Sequence, residues 1–386
     1  MPVLERINSF KDELVAIRRD IHEYPELGFE EVRTSKIVAE KLKSWGIEVH
    51  TEIGKTGVVG VVKGSSEGTR MIGLRADMDA LPMDEETNLP YASKHPGRFH
   101  GCGHDGHTAM LLGAARYLQE TRNFSGTAVL IFQPAEEGLG GARAMIADKL
   151  FDRFPCDEIY GIHNSPNGFP NRVGIKPGIS MAGADFFDVR IRGKGSHAAK
   201  PEASKDPILI ASVIVQMLQT IVARNLDPMK AAVLSVTRIN SGTAYNVIPQ
   251  ECVIAGTLRF LDREVAETLR QRMRAIIAGV ATSFDVEIEV DLRNVFDVLL
   301  NTEELVEGYA AAARDIVGAE NVVMRNEAVM GSEDFSDMLF LKPGVYCHLG
   351  HAETVSVHNP GFLLDENILP VGASLYARIV ERRLAA

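Results

Sequence analysis

Four short motifs in this chain carry side chains that could bind metal ions and move a proton. They occupy residues 100–107, 133–138, 161–164 and 357–360. Within them, one thiol, three imidazoles and one carboxylate form a candidate ligand set: Cys102, His104, Glu137, His163 and His358. Thiolate, imidazole and carboxylate groups are donors for divalent transition metals. The residue types therefore predict metal-assisted hydrolysis.

A spare carboxylate stands beside this ligand set. Glu136 directly precedes Glu137, so one carboxylate can bind metal while the other acts as a general base. A metal lowers the pKa of its bound water to about 7, which lets a nearby carboxylate accept the proton. The alternative is a solvated acidic pair at a helix N-terminus. The Gln133-Pro134 pair before it and the glycines after it indicate a strand-to-loop junction, which favours the catalytic interpretation.

The remaining members of the set depend on one another. Gly101 and Gly103 allow the backbone around Cys102 to turn close to an ion. The alternative is a buried cysteine beside structural histidines. His163 and His358 are weak candidates alone, because a single histidine after a strand is commonly a hydrogen-bonded polar residue. Each gains weight only because the other ligands require partners.

Two aspartates and two histidines are candidates for support. Asp77 and Asp79 are expected behind the ligand histidines, since a carboxylate that accepts the free N–H of a ligand histidine fixes its tautomer. A capped turn after a strand is the alternative for both. His100 and His107 flank the cysteine motif, and we interpret both as supporting residues.

The predicted elements bring these motifs together. Short β-branched runs predict strands, and helices are expected between and before them. The aspartates, the glutamate pair and His163 each follow a strand, and sites in open α/β sheets form at the carboxyl ends of strands. The alternation predicts an α/β fold with a mixed, largely parallel sheet sandwiched by helices. The expected strands are 57–62, 71–76, 127–132 and 158–162, and the expected helices are 4–22, 30–45, 106–121 and 139–149.

A different pattern begins near residue 185. The order of strands and helices there is β-α-β-β-α-β, which is the split βαβ, ferredoxin-like unit. We therefore predict a discontinuous catalytic domain, 1–184 and 296–386, with a satellite domain inserted at 185–295 for a lid or dimerisation role. The expected strands are 185–192, 232–240, 252–260 and 286–292, and the expected helices are 206–223 and 263–281, with a last helix of the first domain from about 370.

Composition narrows the function classes. The 386 residues are 45% hydrophobic and carry a formal net charge of −11, which suits a globular protein of two domains. No basic cluster occurs, so we expect no nucleic-acid partner. We expect no secretory signal, no membrane span and no disulfide framework from the four scattered cysteines. A reducing cytoplasm fits this pattern.

The motifs taken together, in this order, resemble the aminoacylase-type metallopeptidases. They are most similar to the branch of hippurate hydrolases and indole-acetyl-amino-acid amidohydrolases. The segment 18–28 is also typical of that branch, and the resemblance runs the whole length of the chain. Further matching segments are 193–199, 246–249, 256–259 and 331–335.

The resemblance implies two divalent metal ions per subunit, with Mn, Zn, Co or Ni as candidates. It assigns the five ligands named above and makes Glu136 the base that activates water. It also implies that His197 of the satellite domain helps to hold the oxyanion, and that Asn246 and Arg259 contact the substrate. The expected substrates are N-acyl amino acids, aromatic or aliphatic, and a homodimer or homotetramer is expected through the satellite domain.

Two positions depart from the family pattern. Ser196 replaces the usual glycine before His197, and residues 200–202 read Lys-Pro-Glu where relatives often have a Pro-His pair. These changes concern substrate preference.

Three alternatives remain: a dipeptidase or carboxypeptidase of the same family, a binding module without catalysis, and a structural metal site. A structural site closes its shell with four ligands and has no spare carboxylate, which disfavours the last.

Overall fold

The computed structural model describes residues 3–385 of the chain. The chain divides into two compact units. Unit 1 contains the residues up to Ser180, then Leu300–Glu327, and then the chain from Asp334 onward. Unit 2 contains Met181–Leu299 and the short segment Ala328–Glu333, which no sequence pattern had indicated.

Unit 1 carries most of the helices and one large sheet. Its helices are α1 (Val3–Asn8), α2 (Lys11–Glu23), α3 (Val32–Ser44), α4 (His104–Thr121), α5 (Gly141–Ala147), α6 (Leu150–Arg153), α9 (Glu303–Val317), α10 (Phe335–Leu341) and α11 (Ile368–Arg383). Its strands are β1 (Glu48–Ile53), β2 (Gly57–Lys63), β3 (Ser66–Asp77), β4 (Ser125–Gln133), β5 (Glu158–Pro166), β6 (Val173–Ile175), β7 (Gly178–Met181), β14 (Leu299–Asn301), β15 (Val322–Met324) and β16 (Gly344–His351). The last residue of β7 and the first residue of β14 already belong to unit 2.

The large sheet has eight strands in the order β1-β2-β4-β3-β5-β16-β6-β15. Its centre is parallel, since β4, β3, β5 and β16 all run the same way. The antiparallel pairs lie toward the edges, at β1/β2, β2/β4 and β16/β6. The strand β4 is buried along nearly all of its length, as its apolar run predicts for a sheet covered on both faces. The predicted mixed, largely parallel sheet is therefore confirmed.

Helix α4 is central to unit 1 and begins at the candidate site. It follows Gly103, whose φ of +89° is readily adopted only by glycine. Almost every residue of its first four turns is buried, and it packs against α11 and α2. Its first residue, His104, is therefore fixed by the core of the unit.

The N-terminal region differs from the prediction of a single helix over 4–22. The structure has two helices, α1 and α2, with a break at Ser9–Phe10. The Ser9 hydroxyl donates to the carbonyl of Arg6 at 2.6 Å and accepts from the Arg6 guanidinium at 2.8 Å. A serine that bonds the preceding turn competes with the helical ladder. Apolar periodicity continues across the break, which is why the pattern alone indicated one helix.

Unit 2 is a small antiparallel sheet with two helices. Its strands are β8 (Gly183–Arg192), β9 (Ser196–His197), β10 (Ala232–Ser241), β11 (Val247–Ile248), β12 (Glu251–Phe260) and β13 (Glu287–Phe296), and its helices are α7 (Pro207–Asn225) and α8 (Arg263–Phe284). The four-stranded sheet has the order β10-β12-β8-β13, and every pair in it is antiparallel. The order confirms the predicted ferredoxin-like arrangement.

Helix α7 corrects one expectation. We expected no apolar run long enough to span a membrane, but Pro207–Asn225 meets that criterion by length and composition, with a mean hydropathy of 1.6. One side of α7 packs into the core of unit 2 through Ile210, Ile214, Leu218 and Ile221. The core helix of a globular unit passes the same test, so the helix is weak evidence for a membrane.

Candidate metal centre

The candidate ligands lie at one edge of the large sheet. Strand β3 ends at Asp77 and β4 ends at Gln133, while His163 lies in the last part of β5. These strands are parallel neighbours, so their carboxyl ends meet. Helix α4 begins at the same edge with His104. The predicted placement of the motifs at strand ends therefore matches the observed topology.

The structure brings the five predicted ligands and Glu136 together. The donor atoms form three overlapping groups, and within each group all donor atoms lie within 4.8 Å of one another. The groups share members, so they form one continuous cluster. They are Cys102 with His104 and His163, Cys102 with Glu137 and His358, and His104 with Glu136 and Glu137.

Individual distances describe this cluster. Cys102 Sγ lies 3.4 Å from His163 Nε2, and His358 Nε2 lies 3.2 Å from Glu137 Oε1. His104 Nε2 is 4.0 Å from the same Glu137 oxygen. His358 is joined to the cysteine loop because its backbone N–H donates to the Gly101 carbonyl at 2.8 Å. Donors separated by more than 250 positions in the sequence thus face one point.

Hydrogen bonds orient two of the imidazoles. His104 Nδ1 lies 3.0 Å from the Asp79 carbonyl and 3.2 Å from its carboxylate, both acceptors. Nδ1 is therefore the donor, and Nε2 keeps its lone pair toward the cluster. His163 is oriented in the same way, since its Nδ1 lies 2.6 Å from the Asn164 carbonyl. This arrangement is typical of metal-binding histidines.

The donor set fits a cation. His104 Nε2 is buried and has no hydrogen-bond partner in residues 3–385. Buried polar atoms without partners are rare, and an ion that binds to such an atom is a standard explanation. Hydrogen bonds to Cys102 and Glu137 raise the pKa of His358 to about 10. Burial and the Glu137 carboxylate raise the pKa of the Cys102 thiol. Both shifts have the negative charge of Glu137 among their causes, and a divalent cation would neutralise that charge.

Asp79 and Asp77 have different partners. The second carboxylate oxygen of Asp79 accepts the backbone N–H of Glu137 at 3.0 Å, so Asp79 contacts two candidate ligands. Asp77 instead accepts from His107 Nδ1 at 2.6 Å, and the other His107 nitrogen accepts the Asn164 N–H at 2.9 Å. Both nitrogens of His107 are therefore used, which agrees with a supporting role. His100 is buried, and neither of its nitrogens has a hydrogen-bond partner within residues 3–385.

Glu136 is buried next to a charged network that the sequence did not reveal. The backbone N–H of Asp334 approaches Glu136 Oε1 at 3.4 Å. Arg75, itself fully buried, donates to Gln133 at 2.8 Å and to Asp77 at 2.7 Å. Gln133 in turn donates to Asp334 at 2.6 Å. This network joins the ends of β3 and β4 to the start of α10. Three of these residues lie inside motifs noted above, but their types alone did not indicate this role.

The three candidates of the satellite unit are described within that unit. His197 and Asn246 are neighbours, because β9 pairs with β11 and the Ala198 N–H donates to the Asn246 carbonyl at 3.0 Å. Both residues are exposed. Arg259 Nη1 donates to the Ser332 hydroxyl at 2.6 Å, and burial lowers the pKa of Arg259. The roles implied for these residues stay predictions.

Comparison with known proteins identifies the family. The family model of peptidase family M20/M25/M40 matches residues 73–382. This match covers most of the chain. The chain belongs to peptidase family M20/M25/M40 and is a hydrolase of that family.

Similar proteins match over nearly the full length. The hippurate hydrolase of Campylobacter jejuni is 43% identical over 385 residues, which is 100% of both chains. The N-acetyl-L-cysteine deacetylase of Bacillus subtilis is 40% identical over 379 residues, covering 98% of this chain and 89% of the relative. The crystal structure of the Bacillus subtilis YXEP protein, a dinuclear metal binding peptidase of the M20 family, has a TM-score of 0.82 at 34% identity and covers 98% of this chain and 99% of that one.

Proposed function

We propose that this hydrolase cleaves the amide bond of N-acyl amino acids, such as hippurate-like or indole-acetyl conjugates. The observation that carries the proposal is the cluster of five metal donors around one additional buried carboxylate, Glu136. The hippurate hydrolase and deacetylase relatives support an acyl group on an amino acid as the substrate class. Both aromatic and aliphatic acyl groups are included.

Two divalent cations per subunit are part of this proposal. Cys102, His104, Glu137, His163 and His358 would hold them, and the dinuclear YXEP relative supports the number two. The mixed sulfur, nitrogen and oxygen donors admit Zn, Co, Ni or Mn. When bound, such cations polarise the amide carbonyl and make water a nucleophile at neutral pH.

The chain itself moves the proton and orients the ligands. Glu136 accepts the proton of the attacking water and then delivers it to the leaving amino group, so the products are a carboxylic acid and an amino acid. Asp79 holds His104 and Glu137 in their bonded orientations. The satellite residues His197, Asn246 and Arg259 remain the proposed oxyanion and substrate contacts, and arginine suits a substrate carboxylate.

A Glu136→Gln variant tests the base. It keeps the size of the side chain but cannot accept the proton, so we expect turnover to fall by roughly 10²–10⁴-fold or more. Bound metal, measured by elemental analysis, should stay at the wild-type level. The matched control is Glu40→Gln on the exposed face of α3, where no loss is expected. Near-normal turnover of Glu136→Gln would remove Glu136 from the mechanism.

A substrate panel separates the proposal from its alternative. The second candidate is a dipeptidase or carboxypeptidase, which the peptidase description of the YXEP relative favours. N-acetyl, N-benzoyl and N-indoleacetyl amino acids should be compared with dipeptides under the same metal loading. Higher kcat/KM for the N-acyl amino acids supports the amidohydrolase, and higher kcat/KM for the dipeptides supports the alternative.

We also propose a homodimer or homotetramer assembled through unit 2, in the cytoplasm. Apolar side chains on the outer side of α7 and on the edge strand β10 support this assembly. Ile208, Leu209 and Ile239 are each about half exposed, at 48%, 55% and 52%. Exposed apolar surface next to an unpaired strand edge is a common site of association.

A further inference from the structure

The turn that carries Glu136 and Glu137 has an unusual backbone. Ala135, immediately before Glu136, has a φ of +52°, in the left-handed region. A Cβ atom disfavours this conformation, and glycine is the usual residue there. Such a residue persists only where its surroundings hold it in place. The direction in which Glu136 and Glu137 leave the strand β4 therefore depends on what holds Ala135.

Two hydrogen bonds fix the backbone of Ala135. Its N–H donates to Glu31 Oε1 at 2.8 Å, and its carbonyl accepts the N–H of Gly141 at 3.0 Å. The turn closes tightly at Gly141, where a Cβ atom would lie 1.6 Å from the Pro134 carbonyl oxygen. The second bond comes from the turn itself. The first comes from Glu31, which lies far away in the sequence at the start of α3.

Glu31 is itself held firmly. Its carboxylate is fully buried, and its second oxygen accepts the Thr56 hydroxyl at 2.6 Å. Thr56 belongs to the turn between β1 and β2, and its carbonyl accepts the Ser35 hydroxyl of α3. A buried carboxylate is costly unless hydrogen bonds compensate it. Here both oxygens are bonded, one to the scaffold and one to the turn before Glu136.

We propose that Glu31 is a positioning residue of the hydrolase, which holds Ala135 in its left-handed conformation and thereby aims Glu136 and Glu137. This inference rests on the proposed function for its catalytic consequence. It makes a separate statement about metal binding, because Glu137 is one of the candidate ligands on the same turn.

The test compares Glu31→Ala with Glu31→Gln. Glutamine keeps a carbonyl oxygen for the Ala135 N–H, whereas alanine removes the acceptor. For Glu31→Ala we expect Mn²⁺ affinity by calorimetry, and kcat at saturating Mn²⁺, each to fall by about 10–100-fold, the usual effect of losing a residue that orients ligands. KM should change little. Glu31→Gln should stay within about threefold of wild type by the same reasoning.

A second substitution distinguishes positioning from general destabilisation. Glycine adopts the left-handed conformation without strain, so Ala135→Gly should restore part of the Mn²⁺ affinity when it is added to Glu31→Ala. If Glu31→Ala does not fold, Glu31→Asp replaces it in the test, because its side chain is one methylene shorter and moves the carboxylate away from the Ala135 N–H. The inference would be overturned if Glu31→Ala and Glu31→Gln lost Mn²⁺ affinity and kcat equally. It would also be overturned if Glu31→Ala and Glu31→Asp both kept the Mn²⁺ affinity of the wild type. If the wild type cleaves no substrate of the panel, the proposed function fails, while the Mn²⁺ comparison still tests Glu31.

Discussion

Asp77 is the last residue of β3 and Asp79 follows two positions later; both lie near His104, but their other partners differ. Asp79 contacts the candidate ligands His104 and Glu137, whereas Asp77 joins the buried pair of Arg75 and His107. Arg75 and His107 pull the pKa of the Asp77 carboxyl down, together with His104, against the opposing effect of burial. At the residue scale the candidate ligands are therefore supported by a buried charged layer, which reaches them where Asp77 lies 3.9 Å from His104 Nε2.

The same scale gives a pH dependence of stability at Glu31. Burial raises the pKa of Glu31 to about 7, with a contribution from Asp79, although the bond from Thr56 opposes the rise. Between its ordinary value and pH 7, the folded protein keeps a proton that the unfolded chain releases. The wild type should therefore lose on the order of 3 kcal/mol of stability as the pH rises through this window, and Glu31→Gln should not.

Trp45 allows this prediction to be measured. It is the one tryptophan of the chain and packs against the core of unit 1. Urea unfolding of the metal-free proteins, followed by Trp45 fluorescence at pH 5, 6, 7 and 8, gives the stability difference between wild type and Glu31→Gln. The difference should shift in favour of the variant as the pH rises. A difference that does not vary with pH would show that Glu31 does not titrate in this range.

The residues that sequence could identify differ from those it could not. Cys102, His104 and the glutamate pair were predicted because their motifs are short and their donor types are characteristic of metal sites. Glu31 was not, because its partner Ala135 is 104 positions away and its type is common on surfaces. Arg75 and Asn164 were missed for the same reason. A buried polar network is specified by long-range contacts, and a single sequence does not display them.

At the scale of elements, local sequence signals explain which helices and strands were predicted correctly and which were not. The alternating pattern of unit 2 predicted its sheet and helices, because each strand is half-buried and each helix has one apolar side. The break between α1 and α2 was missed because the Ser9 hydroxyl ends α1 without disturbing the apolar spacing. Capping bonds of this kind fix element boundaries, which periodicity does not resolve.

Helix α8 provides an element-scale prediction. Gly279 lies in its interior on the exposed side, and a Cβ atom there would meet nothing within 4 Å. Alanine at this position should stabilise unit 2 by roughly 0.5–1 kcal/mol, because glycine has greater freedom in the unfolded chain. Slower hydrogen exchange of the α8 amides in Gly279→Ala would confirm it.

A matched substitution in the same unit should act in the opposite direction. At Gly183 in β8, a Cβ atom would lie 2.3 Å from the Phe260 ring. Gly183→Ala should therefore destabilise unit 2 and speed the hydrogen exchange of its backbone amides. If the amide hydrogens of Gly279→Ala and Gly183→Ala exchange at the same rates, the stability of unit 2 does not respond to these local contacts.

At the scale of the whole molecule, the proposed assembly through unit 2 can be tested by charge. Leu209→Glu places a carboxylate on the apolar outer side of α7. Because burying an unpaired charge is costly, we expect this variant to sediment as a monomer at concentrations where the wild type is a dimer or tetramer. The control is Val32→Glu on α3 of unit 1, which is 68% exposed and should leave the assembly unchanged. An unaltered Leu209→Glu oligomer would exclude this side of α7 as the interface.

The position of β16 in the sheet has a consequence for biosynthesis. β16 pairs with β5, although β5 ends at Pro166 and β16 begins only at Gly344. A ribosome adding ~5–20 residues per second leaves the edge of β5 uncovered for on the order of tens of seconds. The contiguous segment of unit 2 emerges during that interval. His358 follows still later, so a nascent chain cannot bring all five candidate ligands together until translation is nearly finished.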